Sequence, residues 1–180
     1  YIELEHNEPM TEMMCFHLAE YYYSRKNFPE AAEYYERAVV DNLSNSQIGA
    51  MKFHLAYAYF TMQRLNDAKP LFDAIRQIPG DPNYADANYY YGFILFGEKK
   101  YTEALNCFKI AESKADYAGI VPYYISEIYY FTGQKDKALE TAETALKKGG
   151  QYYDLQLKQI IGHILFEKKN FSKALPYIEA

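Results

Sequence analysis

Four histidines, two cysteines and 24 acidic side chains are the groups through which this 180-residue chain could do metal, nucleophilic or acid–base chemistry. Their spacing assembles none of it. His6, His17, His54 and His163 form no ligand cluster. His17 and His54 occupy equivalent positions one period apart, roughly 10 Å at the usual helix spacing, which is too far to share a metal. The carboxylates are dispersed along solvated faces and do not converge in pairs. No glycine loop cradles a phosphate, and neither a metalloprotease motif nor a nucleophile elbow is present. Cys15 and Cys107 lie too far apart in the pattern for a disulfide framework and read as buried, inert thiols. The expectation is a protein without catalytic activity, cofactor or metal. Recognition is the chemistry that remains. The chain holds 21 Tyr and 11 Phe but no Trp, and tyrosine joins a large contact area to a hydrogen-bonding tip.

The elements that must position these rings are helical. In the stretch from Glu12 to Leu43, Leu18, Ala19 and Tyr22 share one helix face. A break follows at Ser24 to Asn27. Asn27 is the expected N-cap of a second helix, and Pro29 suits its first turn. Ala31, Tyr35 and Ala38 then recur at i, i+4 and i+7. The small Ala31 lets the two helices approach closely, with Tyr22 and Tyr35 around it. Such a hairpin leaves apolar surface outside and needs a neighbour. The chain supplies neighbours by repetition. Ala31 recurs as Ala68, Ala104, Ala138 and Ala174, at intervals of 37, 36, 34 and 36 residues. Leu18 continues as Leu55, Tyr91, Ile125 and Ile161. Ala19 stays small, as Ala56, Gly92, Ser126 and Gly162. Tyr22 becomes Tyr59, Leu95, Tyr129 and Leu165, while Tyr35 becomes Phe72, Phe108, Ala142 and Ile178.

The segments HLAEYYYSRKNFPEAAEYYERA, HLAYAYFTMQRLNDAKPLFDAI, YGFILFGEKKYTEALNCFKIA, ISEIYYFTGQKDKALETAETAL and IGHILFEKKNFSKALPYIEA together resemble the tetratricopeptide repeat family. The resemblance implies an all-α, right-handed solenoid of stacked antiparallel hairpins. The chain departs from the family in three ways. The favoured first-helix Trp is replaced by Cys15, Lys52, Asn88, Pro122 and Lys158. The inter-repeat Pro is clean only near Pro79, and three intervals exceed the usual length of about 34 residues. From IPGDPNYADANYYYG onward the chain is also similar to long-period repeat proteins of the bacterial cell envelope. The expected organisation is one array over 1–180: a remnant at 1–11, then repeats at about 12–48, 49–84, 85–118, 119–154 and 155–180, the last one cut short. Tyr1 and Leu4 fit the end of a preceding second helix. Neither end carries the polar cap of a solenoid, so the expectation is a fragment of a larger protein. Gly133 is expected in a tight turn, and Gly149 with Gly150 at a helix stop.

In this architecture the first helices line the concave face. Three columns point into it. The first runs Phe16, Phe53, Tyr89, Tyr123 and Gln159, the second Glu20, Tyr57, Phe93, Glu127 and His163, and the third Tyr23, Phe60, Phe96, Tyr130 and Phe166. The predicted groove is aromatic with acidic charges and holds no Lys or Arg. It suits a peptide or protein with apolar anchors and basic neighbours. Rings at such positions also pack helix against helix, the competing reading for the same columns. One subclass of the family grips a C-terminal carboxylate with groove Lys, Arg and Asn. The corresponding positions here hold Phe16, His17, Glu20, Phe53, His54 and Tyr90, so that clamp is absent. The turns within hairpins are basic and the joints between repeats carry acids, a pattern that complements helix dipoles.

The net charge of −5 lacks the basic footprint of a nucleic-acid binder. No apolar run approaches the roughly 20 residues of a membrane span. The function expected is a protein–protein interaction scaffold, soluble in the cytoplasm or periplasm, that binds no nucleic acid and does not insert in a membrane. The alternative is a regulatory or sensory arm of a larger signalling protein that self-associates through uncapped ends.

Overall fold

The computed structural model describes residues 8–178. Tyr1 and Leu4 lie outside them. Among the described residues the regular structure is helical: α1 (Glu8–Ser24), α2 (Phe28–Arg37), α3 (Asn45–Thr61), α4 (Leu65–Arg76), α5 (Tyr84–Gly97), α6 (Tyr101–Ala111), α7 (Val121–Phe131), α8 (Lys135–Lys148), α9 (Asp154–Glu167) and α10 (Phe171–Ile178), with short 3₁₀ turns at Val40–Asn42 and Ala115–Tyr117. The chain divides into two compact units, residues 1–90 and 91–180, with the division inside α5.

One turn geometry joins the two helices of each hairpin. At its centre a residue sits in the left-handed region: Lys26, Gln63, Lys99, Gly133 and Lys169, with φ between 58° and 76°. The residue that follows sends its N–H back to the last turn of the first helix. Asn27 donates to the Tyr22 carbonyl at 2.9 Å, Arg64 to Tyr59 at 2.8 Å, Lys100 to Leu95 at 2.9 Å, Gln134 to Tyr129 at 2.8 Å and Asn170 to Leu165 at 2.9 Å. This is the Schellman closure, which satisfies carbonyls a helix end leaves free. The carbonyls of these same five residues accept from Ala31, Ala68, Ala104, Ala138 and Ala174 at 3.0–3.1 Å. Each landmark alanine therefore makes an early hydrogen bond of its helix, and each is at most 1% exposed.

Asn27 stands at the N-cap of α2, but its side chain does not cap. Its ψ of 77° lies outside the extended region from which a cap side chain reaches back. Ser44 has that geometry, at ψ 158°, and forms a full capping box with Gln47 at the start of α3.

In the first unit, α1 packs on α2, α2 on α3, and α3 on α4. Its core holds Ala19, Ala31, Tyr35, Ala56, Ala68 and Phe72. Leu18 and Tyr22 are only half-buried, whereas Leu55 and Tyr59 one period later are buried. Among the described residues no earlier helix covers α1 on that side. Tyr22 instead stacks on Tyr34 at 5.5 Å.

The second unit repeats the scheme, with α6 on α7, α7 on α8, α8 on α9 and α9 on α10. Gly92 and Gly162 mark the closest approaches within its hairpins. A Cβ on Gly92 would lie 3.0 Å from the Cys107 Cβ, and one on Gly162 would lie 3.1 Å from the Tyr177 Cβ, so any larger residue there would push its neighbour back by a few tenths of an ångström. Gly149 ends α8 at φ 78°. Cys15 and Cys107 are buried free thiols.

Candidate functional site

The three columns of first-helix residues occupy an intermediate layer. In the first unit, Glu20, Tyr23, Phe53, Tyr57, Phe60 and Tyr89 are each half-buried. Phe16 is only 6% exposed and belongs to the core. In the second unit, Phe93, Phe96, Tyr123, Glu127 and Tyr130 are half-buried, while His163 and Phe166 are exposed. The rings touch one another from helix to helix. Tyr23 meets Tyr57 edge-on at 6.1 Å, Tyr57 meets Tyr90 at 5.4 Å, and Phe96 meets Tyr124 at 5.4 Å. They both brace neighbouring first helices and offer a remaining face to solvent.

Behind this layer runs a seam in which the second helix of one hairpin meets the first helix of the next. Two junctions are filled by a stacked aromatic pair: Phe72 on Tyr90 at 5.3 Å and 19° in the first unit, and Phe108 on Tyr124 at 5.1 Å and 16° in the second. At the first junction the pair is Tyr35 and His54, tilted at 6.3 Å. At the last, the equivalent positions hold Ala142 and Ile160.

These differences bear on two first-helix carboxylates, Glu20 and Glu127, which share one column. Glu20 Oε1 accepts the Tyr35 hydroxyl at 2.5 Å and His54 Nδ1–H at 2.8 Å. The His54 ring also stacks on Tyr23 at 4.0 Å. Burial pushes the Glu20 carboxyl upward, but the His54 and Tyr35 hydrogen bonds outweigh it and hold the pKa below the ordinary value. Burial, and then its bond to Glu20, push the Tyr35 phenol well up. Glu20 is therefore committed to internal bonds that join α1, α2 and α3.

Glu127 has Ala142 and Ile160 where Glu20 has Tyr35 and His54. Its internal donor is the Tyr123 hydroxyl, and burial dominates, so its pKa is raised. Among the described residues no Lys, Arg or His lies within ion-pair distance of it. Glu167 nearby is taken: Lys135 lies 3.0 Å from it, and the Tyr130 hydroxyl donates to it at 3.2 Å. A cavity of about 280 Å³ lies between α7 and α9, lined by Tyr123, Glu127, Tyr130, Phe131, Gln156, Gln159, Ile160 and His163.

The structure thus brings Tyr123, Glu127, Tyr130 and His163 around one cavity. Phe53, Tyr57, Phe60 and Tyr89 form a ring layer in the first unit, as Phe93 and Phe96 do in the second. Sequence reasoning missed His54 as a structural partner of Glu20. It also missed Phe131, Gln156 and Ile160 as cavity walls. The signal that could have found the cavity was the change from a ring at His54, Tyr90 and Tyr124 to Ile160 in the same column.

Residues 17–41 match the profile of the family described as Tetratricopeptide repeat. No curated protein matches the chain. Among solved structures, this repeat array is similar to the crystal structure of MamA protein, at TM-score 0.72 and 19% identity over 93% of this chain and 88% of that one. It is also similar to MamA AMB-1, at TM-score 0.75 and 13% identity over 95% and 90%. A third is the structure titled MamA 41-end from Desulfovibrio magneticus RS-1, at TM-score 0.73 and 17% identity over 93% and 91%. At these identities the likeness is one of fold. Among the described residues of the array, no three His, Cys, Asp or Glu side chains gather to hold a metal ion, and no helix is long and apolar enough to cross a membrane.

Proposed function

We propose that the chain is a scaffold that binds a peptide or protein partner along the solvent-facing rings of its first helices, without catalysing a reaction. The observation that carries this reading is the half-buried state of Tyr57 and Tyr89 in the first unit and of Phe93, Tyr123 and Tyr130 in the second. A purely structural ring would be buried, as Phe72 and Phe108 are at 0% exposure. Rings that keep an open face supply contact area with little side-chain entropy to lose. The repeat fold and its resemblance to MamA support a scaffold role, and the acidic Glu127 favours a partner with basic residues.

The test is selection from a random peptide library on the full chain. Affinities of the selected peptides are then measured against Tyr57→Ala, Tyr89→Ala, Phe93→Ala and Tyr123→Ala. Loss of binding in at least one variant, with the helical circular dichroism signal intact, is expected. Wild-type affinity in all four folded variants would remove the ring face from consideration.

A second reading, association between copies, has one observation in its favour. Phe171, Leu175 and Ile178 lie on one face of α10 and are 55%, 53% and 58% exposed. Sedimentation of the wild type against Leu175→Glu tests it. Association that disappears with the charge supports the reading, and a monomer in both ends it.

A further inference from the structure

The array contains its own control experiment in Glu20 and Glu127. Both carboxylates stand in the same column of a first helix. The first is satisfied by two donors from neighbouring helices; at the second, those two donor positions hold Ala142 and Ile160. Ile160, at the second of those positions, lines a cavity that has Glu127 in its wall. We infer that the cavity between α7 and α9 is a recognition pocket for a single arginine side chain of the partner polypeptide, whose guanidinium N–H groups take the place at Glu127 of the Tyr35 O–H and His54 N–H that the fold supplies to Glu20. The inference rests on the reading of the first-helix rings as a partner-binding face.

Three features select a guanidinium. Its walls include Tyr123, Tyr130 and Phe131, and flat aromatic faces take a planar, weakly hydrated cation by stacking and cation–π attraction. The carboxylate can accept two N–H groups at once, which a guanidinium presents as a fork and an ammonium does not. The side-chain amides of Gln156 and Gln159 also line the cavity, and their carbonyl oxygens can accept the N–H groups that remain. Charge complementarity points the same way. Lys135, the nearby cation, is held by Glu167 at 3.0 Å, and among the described residues none reaches Glu127. His163 lines the cavity as well and stacks edge-on to Tyr130 at 5.6 Å.

The experiment titrates the full ¹⁵N-labelled chain with acetyl-Ala-Arg-Ala-amide, with the same tripeptide carrying lysine or neutral citrulline in place of arginine, and with free arginine. Saturable amide shifts at Gln159 and Ile160 are expected with the arginine tripeptide. Citrulline should bind about tenfold more weakly, and lysine should fall between them. Glu127→Gln should lose about tenfold in affinity for the arginine tripeptide while keeping its fold. Ile160→Tyr, which restores a ring where the other junctions have one, should abolish the shifts. Equal binding of arginine and citrulline, unchanged affinity in Glu127→Gln, or no saturable shift around the cavity would each overturn the inference. Tighter binding of free arginine than of the tripeptide would overturn the assignment to a polypeptide. Library peptides that need the ring columns but show no arginine preference would sink the inference and leave the scaffold reading standing. A tripeptide that binds at Glu127 when no library peptide uses the rings would do the reverse.

Discussion

The same substitution, Glu→Gln, should move stability in opposite directions at Glu20 and Glu127. Glutamine keeps a carbonyl that can accept a hydrogen bond but removes the charge. At Glu20 two bonds, from Tyr35 and His54, lose their charge assistance. The difference between a charged and a neutral hydrogen bond is about 1 kcal/mol, so the gross loss is about 2 kcal/mol. Relief of the burial penalty and screening at a half-exposed site bring the net loss to about 1 kcal/mol, or about 3 °C in Tm for a chain of this size. At Glu127 one bond, from Tyr123, faces a dominant burial penalty. Glu127→Gln should therefore stabilise the fold by about 0.5 kcal/mol, about 1–2 °C. The pH dependence separates the two further. The Glu20 pKa is lowered on folding, so its contribution is present above the ordinary carboxylate pKa of about 4.3 and is lost as pH falls through the lower folded value. The Glu127 pKa is raised, so its cost is present above the folded value and vanishes as pH falls below the ordinary one. Urea unfolding followed by circular dichroism at pH 7, 5 and 3.5 reads both. Shifts of the same sign at pH 7, or differences that persist undiminished at pH 3.5, would refute the column-by-column account of the two carboxylates.

Other outcomes follow from the same geometry. Glycine at Lys26, Gln63, Lys99 or Lys169, where φ is 58–61°, should raise stability by about 0.5–1 kcal/mol each, because an L side chain is strained there; Gly133→Ala should cost about 1 kcal/mol, both read as urea midpoints. Gly92→Ala should cost about 1–3 kcal/mol, since the new methyl meets the Cys107 Cβ at 3.0 Å, and thermal unfolding will show it. Phe108→Ala, at a ring with 0% exposure, should cost about 3–5 kcal/mol, whereas Phe166→Ala, at 55% exposure, should change stability by less than about 0.5 kcal/mol.

What could be read from the sequence was what repeats. The landmark alanines, the small Ala19 column and the break before each second helix all survive as columns because every hairpin solves the same closing problem. What could not be read was what differs between copies at matched positions. Glu20, Tyr35 and His54 lie on three helices, and their meeting depends on which columns face one another across a junction. Periodicity within a helix does not contain that information. Asn27 failed as a side-chain cap for a related reason: the turn that precedes it fixes its ψ and leaves a capping residue's usual conformation out of reach. The cavity beside Glu127 went unread because Ile160, the aliphatic residue in its wall, signals binding only when compared with the rings at the same position in other copies.

The stacked seam behind the first helices gives the array an address system. Whether a first-helix carboxylate is held internally or left available is set by two residues on neighbouring helices. Replacing the ring and imidazole at Tyr35 and His54 with the small and aliphatic residues of the last junction would free Glu20 in place, three hairpins away from Glu127. A lineage, or an engineer, could thus slide a contact point from one register to another, or run two at once, while the contacting side chain itself stays unchanged.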